Sequence, residues 1–172
     1  HVTGAAAFTE NYGRFCVALA TTGTLANSND QPIFFEYTSG SGDRTIAYLG
    51  ASTLTTASIA DGEWHHYAVR VRSSGSDNVL DLFVDGKHND QYIQTGRIAS
   101  YVSGTIVATV GAQAAAFYDG TGHRGLKGWS KFSGSLDDVR FWKTWRTAEQ
   151  IGRQYIEPVG GGTNTDDSNT DL

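Results

Sequence analysis

The sequence predicts an all-β domain, and three observations carry that prediction. Glycine is abundant, 21 of 172 residues, against only two prolines. Thr, Ser, Val, Tyr, Phe and Trp are plentiful, which suits strands joined by tight turns. The clearest apolar patterns repeat every second residue. A chain of this length fits one domain and can bury a core without metal or disulfide staples.

Taken in order, the first strand candidates are Arg14–Ala20, Ile33–Tyr37 and Thr45–Leu49. Cys16, the single cysteine, lies in the apolar run Phe15-Cys16-Val17-Ala18-Leu19 and reads as a buried strand thiol. No base or helix N-terminus nearby would activate it, and alone it forms no internal disulfide. The next strand begins at Trp64: Tyr67, Val69 and Val71 alternate with Ala68, Arg70 and Arg72, giving one apolar and one mostly polar face. A polar turn over Ser73–Asn78, read as longer than two residues, leads into Val79–Val84, where Leu80, Leu82 and Val84 share a face opposite Asp81. The pair reads as an antiparallel hairpin. Asp85-Gly86 ends it.

Thr105–Val110 and Ser135–Trp142 complete the strand set, the latter with apolar residues on both faces. The lone helix signal starts at Thr147, where Gln150 three residues on matches a capping box, and runs to about Tyr155; Gly152 should weaken it. The predicted domain is residues 1–157. Residues 158–172, rich in Gly, Asn, Asp and Thr, read as a solvated tail or interdomain linker. The absence of any methionine marks the chain as a processed product or a piece of a longer one. A net charge of −5 argues against nucleic acid as a partner. No stretch nears the ~18 apolar residues of a membrane span, so no membrane insertion is expected.

Three segments resemble one family. Asp61-Gly62-Glu63-Trp64-His65-His66-Tyr67-Ala68-Val69 is similar to the Trp-His strand of laminin-G-like and pentraxin-like domains. Leu82-Phe83-Val84-Asp85-Gly86-Lys87 resembles the strand and turn that follow it, and Phe132 through Trp142 resembles the closing strand of these domains. Ala148-Glu149-Gln150-Ile151 follows where the family places a short helix. The likeness extends over about Gly50 to Ile156 and is poor in the first third, where the usual opening motif is missing. It implies a concanavalin A-like jelly roll, two antiparallel sheets in a sandwich with one short C-terminal helix. Trp64 would then anchor the core or a sheet edge, and Gly134 would allow close backbone approach.

Relatives with this fold include glycoside hydrolases, which need two carboxylates flanking the scissile bond. On one strand, E-x-D-x-E or E-x-D-x-x-E supplies them, and neither pattern occurs here. Asp137-Asp138 are adjacent and would point to opposite faces, so they read as ligands for backbone amides. His65-His66 diverge likewise and lack a third ligand at zinc spacing; one is expected near the core and one at the surface. Where the pentraxin-like pattern supplies calcium with acidic residues, this chain has Gln113 and Ala115, so no calcium is expected there. Isolated Asp43 and Asp119 do not make a site. No catalytic residue, metal or cofactor is expected.

The loop Phe117–Trp129 combines aromatics, polar groups and Gly120, Gly122, Gly125 and Gly128. Tyr118, Asp119, His123 and Trp129 are its candidate ligand contacts, since sugar sites pair aromatic platforms with planar polar groups. The bland alternative is an ordinary long loop whose aromatics cap the sandwich. The expected function is a non-catalytic recognition or adhesion module, extracellular or on a virion surface, binding carbohydrate or a protein surface. The alternative is a self-assembling structural subunit of a virion, tail fibre or extracellular filament, a homo-oligomer or larger assembly. A glycoside hydrolase ranks last.

Overall fold

Two tight turns and one capped helix organise the part of the fold that matters for function. The computed structural model describes residues 13–19, 31–39, 44–50, 54–96, 134–142 and 144–156. Within them the chain forms two antiparallel sheets of three strands each. The first sets β1 (Gly13–Leu19), β2 (Ile33–Ser39) and β3 (Arg44–Leu49) side by side in that order. The second sets β4 (Tyr67–Ser74), β5 (Asp77–Val84) and β6 (Lys87–Gln94), with β5 in the middle. This is the all-β architecture of paired antiparallel sheets that the sequence predicts. Thr105–Val110 and the segment 158–172 lie outside the described residues.

The β4–β5 turn is tighter than its polar composition suggests. Ser74 pairs with Asp77, leaving only Gly75-Ser76 between the strands, with Gly75 at φ +61°. Glycine at the first of two turn positions is the type II′ solution, whose twist matches that of the flanking strands. The β5–β6 turn is Asp85-Gly86, φ +50° and +73°, with Val84 paired to Lys87. Two positive φ values make a type I′ turn.

Alternation along β5 sends Leu80 and Leu82 into a cluster with Ile33, Phe35, Ala47, Leu49 and Leu54. Val69, Val71 and Tyr92 pack against that cluster. Each such aliphatic or aromatic side chain contributes about 1.5–3 kcal/mol when fully buried. β3 lies against β6, where Asp90 Oδ2 accepts from Gly50 N at 2.9 Å and Gln31 Nε2 at 3.2 Å. The opposite face of β5, which carries Asp81, is covered as well. Val79, Asp81 and Phe83 are all buried there. Arg70 explains the cover: it donates to the Arg146 carbonyl at 3.0 Å and lies over the rings of Phe83 and Trp145.

Residues 135–142 carry no strand, contrary to expectation. Asp138 adopts φ +50°, its amide donates to Asp137 Oδ1 at 2.8 Å, and its carboxylate engages Arg140. These local bonds offer the backbone an alternative to a ladder, and Asp137 acts on a backbone amide as expected. Trp64 is also displaced from its expected anchoring role: it is 70% exposed just ahead of β4.

Two short helices complete the set. α1 (Thr56–Ile59), which the sequence reading does not contain, is started by reciprocal bonds between Thr55 and Ser58. α2 (Ala148–Gln154) starts at Thr147 with the expected capping box, Gln150 N to Thr147 Oγ1 at 3.2 Å and Thr147 N to Gln150 Oε1 at 2.9 Å. Gly152 has a use beyond lowering helix propensity. A Cβ there would stand 3.2 Å from the Gly86 carbonyl, and one at Gly86 would stand 2.5 Å from the Tyr155 ring. Paired glycines let α2 dock on the β5–β6 turn.

Candidate functional site

Three segments meet at that end of the second sheet: the loop after α1, the residues leading into β4, and the Asp85-Gly86 turn. His65 joins them. Its Nδ1 lies 2.9 Å from Asp85 Oδ2, and its Nε2 lies 3.1 Å from Asp61 Oδ2. A ring flanked on both nitrogens by carboxylates is best satisfied as the imidazolium, since only that form carries two donors. Hydrogen bonds to Asp85 and then Asp61 accordingly hold the His65 pKa above its ordinary value.

Both carboxylates are engaged a second time. Asp61 Oδ1 accepts the Glu63 amide at 2.9 Å, the main reason its pKa lies low, with His65 next. Burial would raise Asp85, but the bonds from His65 and from the His66 amide, at 2.9 Å, outweigh it and hold the group low. The Asp85 amide in turn donates to the His66 carbonyl at 2.9 Å, so the turn and the lead-in to β4 are stitched together.

His66 faces the other way, beside the ring of Tyr155, the C-cap of α2, with centroids 5.9 Å apart. Burial, and then the nearby Arg140, lower its pKa. Its Nδ1 is buried without a hydrogen-bond partner. Neighbouring histidines thus diverge, as expected. Both are half-buried, so the expected division into a core and a surface ring is not sharp.

His65 and Asp85 border a concavity of about 390 Å³. Leu54, Val84 and Tyr67 supply its apolar lining; Ser58, Lys87, His88 and Asn89 supply the rest of the polar lining. Register explains the grouping: Tyr67 pairs with Val84 and Val84 with Lys87, so these three share the face that carries Leu82 inward. The concavity is the open end of the core. Asn89 is placed by a bulge, since Leu82 pairs with Asp90 and Phe83 with His88, leaving Asn89 as the extra residue. Tyr67 has a buried hydroxyl without a hydrogen-bond partner, and burial raises its pKa. It remains a neutral phenol.

A second charged cluster lies on the covered face of β5. Asp81, 1% exposed, accepts from Arg70 at 2.8 and 3.0 Å, from Arg72 at 3.3 Å and from Gln91 at 2.6 Å. Burial would raise its pKa, but these donors prevail and keep it low. This carboxylate holds cover to sheet and is closed to a ligand.

Tyr118, Asp119, His123 and Trp129, the contacts expected from sequence, lie outside the described residues, as does Asp43. Lys87, His88 and Asn89 are additions of the structure. Their strand, Lys-His-Asn-Asp-Gln-Tyr-Ile-Gln, is too polar for a hydrophobic pattern to reveal. The signal that could have found them is Asp85-Gly86, because a type I′ turn requires a partner strand at once. Among the described residues no group of three or more His, Cys, Asp or Glu side chains could hold a metal ion. At His65 the two carboxylates flank different ring nitrogens and do not converge on one point.

A family profile, Laminin_G_3, described as the concanavalin A-like lectin/glucanases superfamily, matches residues 6–152. The chain is also similar to a solved S-layer domain-containing protein from Clostridium thermocellum. The two share 16% identity over 89% of this chain and 67% of that one, with a TM-score of 0.40. No curated protein matches.

Proposed function

Because the chain belongs to the concanavalin A-like lectin/glucanase superfamily, we propose that it is a non-catalytic recognition and adhesion module that works outside the cell and holds carbohydrate. One observation carries the reading. Asp85, which lines the concavity, is already bound internally by His65 and the His66 amide, and Asp61, on the far side of the His65 ring, by His65 and the Glu63 amide. Retaining hydrolysis needs one carboxylate free to attack and another free to protonate, about 5–5.5 Å apart. A pyranose needs instead an apolar patch for its C–H face and polar groups for its hydroxyls, which Leu54, Val84, Lys87 and Asn89 offer.

The loop bearing Tyr118, Asp119, His123 and Trp129 is proposed as a second contact region. A glycan array followed by titration tests both places. Binding should weaken at least several-fold in Trp129→Ala and in the Lys87→Ala/Asn89→Ala pair alike, and the bound sugar should be recovered intact. A folded chain that binds no glycan would remove the carbohydrate reading.

A self-assembling structural subunit is the second reading, and β1 favours it. Among the described residues β1 pairs on one side only, and Phe15, Val17 and Leu19, on one face of it, are exposed. An open strand edge with apolar side chains is a template for pairing. Sedimentation at rising concentration separates the two readings, a persistent monomer excluding the second.

A further inference from the structure

We infer that His65 is a protonation-dependent latch, which ties the loop after α1 to the β5–β6 turn and so closes one wall of the concavity. The inference deepens the proposed function by giving that site a control, and it rests on that reading only where a ligand is concerned.

The geometry sets the logic. Asp61 and Asp85 occupy both ring nitrogens, at 3.1 and 2.9 Å. Two carboxylates are acceptors only, and a neutral imidazole has one N–H. When the proton leaves, one of the two contacts becomes a lone pair facing an anion. Asp85 is the better-anchored partner: its Oδ1 holds the His66 amide and its own amide bonds the His66 carbonyl. Asp61 sits on an exposed loop, held otherwise by the Glu63 amide. Deprotonation therefore releases the Asp61 arm. The loop then gains mobility, and the three-residue cluster, already net negative, loses its one positive charge.

Other groups face the ring from each side. Tyr67 of β4 lies beside it with centroids 6.2 Å apart and stays a neutral phenol. Lys87 and His88 of β6 line the same concavity, and Ser58 of α1 brings no charge. Lys87 opposes the imidazolium, while the two carboxylates in direct contact favour it. The latch is closed at and below the ordinary imidazole range and opens as pH rises through the higher value at which His65 titrates.

The test uses the whole chain without ligand. NMR follows the His65 ring through a pH titration, and amide hydrogen exchange follows residues 62–66. The ring should titrate above 6.5, its ordinary value, and intrinsic-rate-corrected exchange should rise about two- to fivefold across that transition, as expected for an exposed ion pair. Asp61→Asn, a near-isosteric change on the loop, should return the ring toward the ordinary value and flatten the exchange profile. His65→Gln should give open-state exchange at every pH. A ring that titrates at or below the ordinary value, or exchange that ignores the transition, would overturn the latch. Glycan binding separates the two ideas: a chain that binds no sugar yet shows this titration keeps the latch and loses only its ligand.

Discussion

Asp81 carries a negative charge at 1% exposure, and its partners come from the two strands that flank β5. Removing the carboxylate leaves Arg70 and Arg72 without it, so Asp81→Ala should cost about 3–5 kcal/mol in denaturant unfolding. The adjacent histidines predict a pH profile. His65 has a raised pKa, so its contribution is full below 6.5 and is lost as pH rises through the folded-state value. His66 has a lowered pKa, so stability is full above 6.5 and declines as pH falls through its folded-state value. Stability should peak near the ordinary imidazole value, with His65→Gln flattening the alkaline limb and His66→Gln the acidic one, read as Tm against pH. Little of this was legible in the sequence. Arg70, Arg72 and Asp81 show period two, but period two marks only a shared face; whether that face is covered depends on a segment more than sixty residues away.

Elements were legible where their signals are local. The capping box at Thr147 placed α2, and alternating apolar residues placed β4 and β5. β6 was missed because its neighbours, not its composition, make it a strand, and residues 135–142 misled because Asp138 turns the backbone left-handed within an apparently regular alternation. Two predictions belong here. Thr147→Ala should cost about 1 kcal/mol through the lost cap. Gly86→Ala should cost about 1–3 kcal/mol, because it forces a side chain into a positive-φ position and against Tyr155. Near-ultraviolet circular dichroism should report Tyr155 leaving its site.

At the scale of the molecule, a pair of antiparallel sheets meets where β3 lies against β6, and the concavity opens where the core face of β4 and β5 runs out. The fold was readable because alternation, turn glycines and three motifs in order agree with one another. The site was readable only in part. Its histidine, with Asp61 four residues before it, and its Asp-Gly turn stood in plain view, but bringing His65 to Asp85, twenty residues on, required the β4–β5 hairpin. The central claim is that this end of the sheet binds without cleaving, its acids being bound internally. The most direct measurement is a titration of the chain with the best glycan from an array, with the sugar analysed by mass afterwards. The account predicts saturable binding, weakened at least several-fold by either Lys87→Ala/Asn89→Ala or Trp129→Ala, and full recovery of intact glycan. Shortened glycan whose formation stops in Asp61→Asn or Asp85→Asn would contradict it.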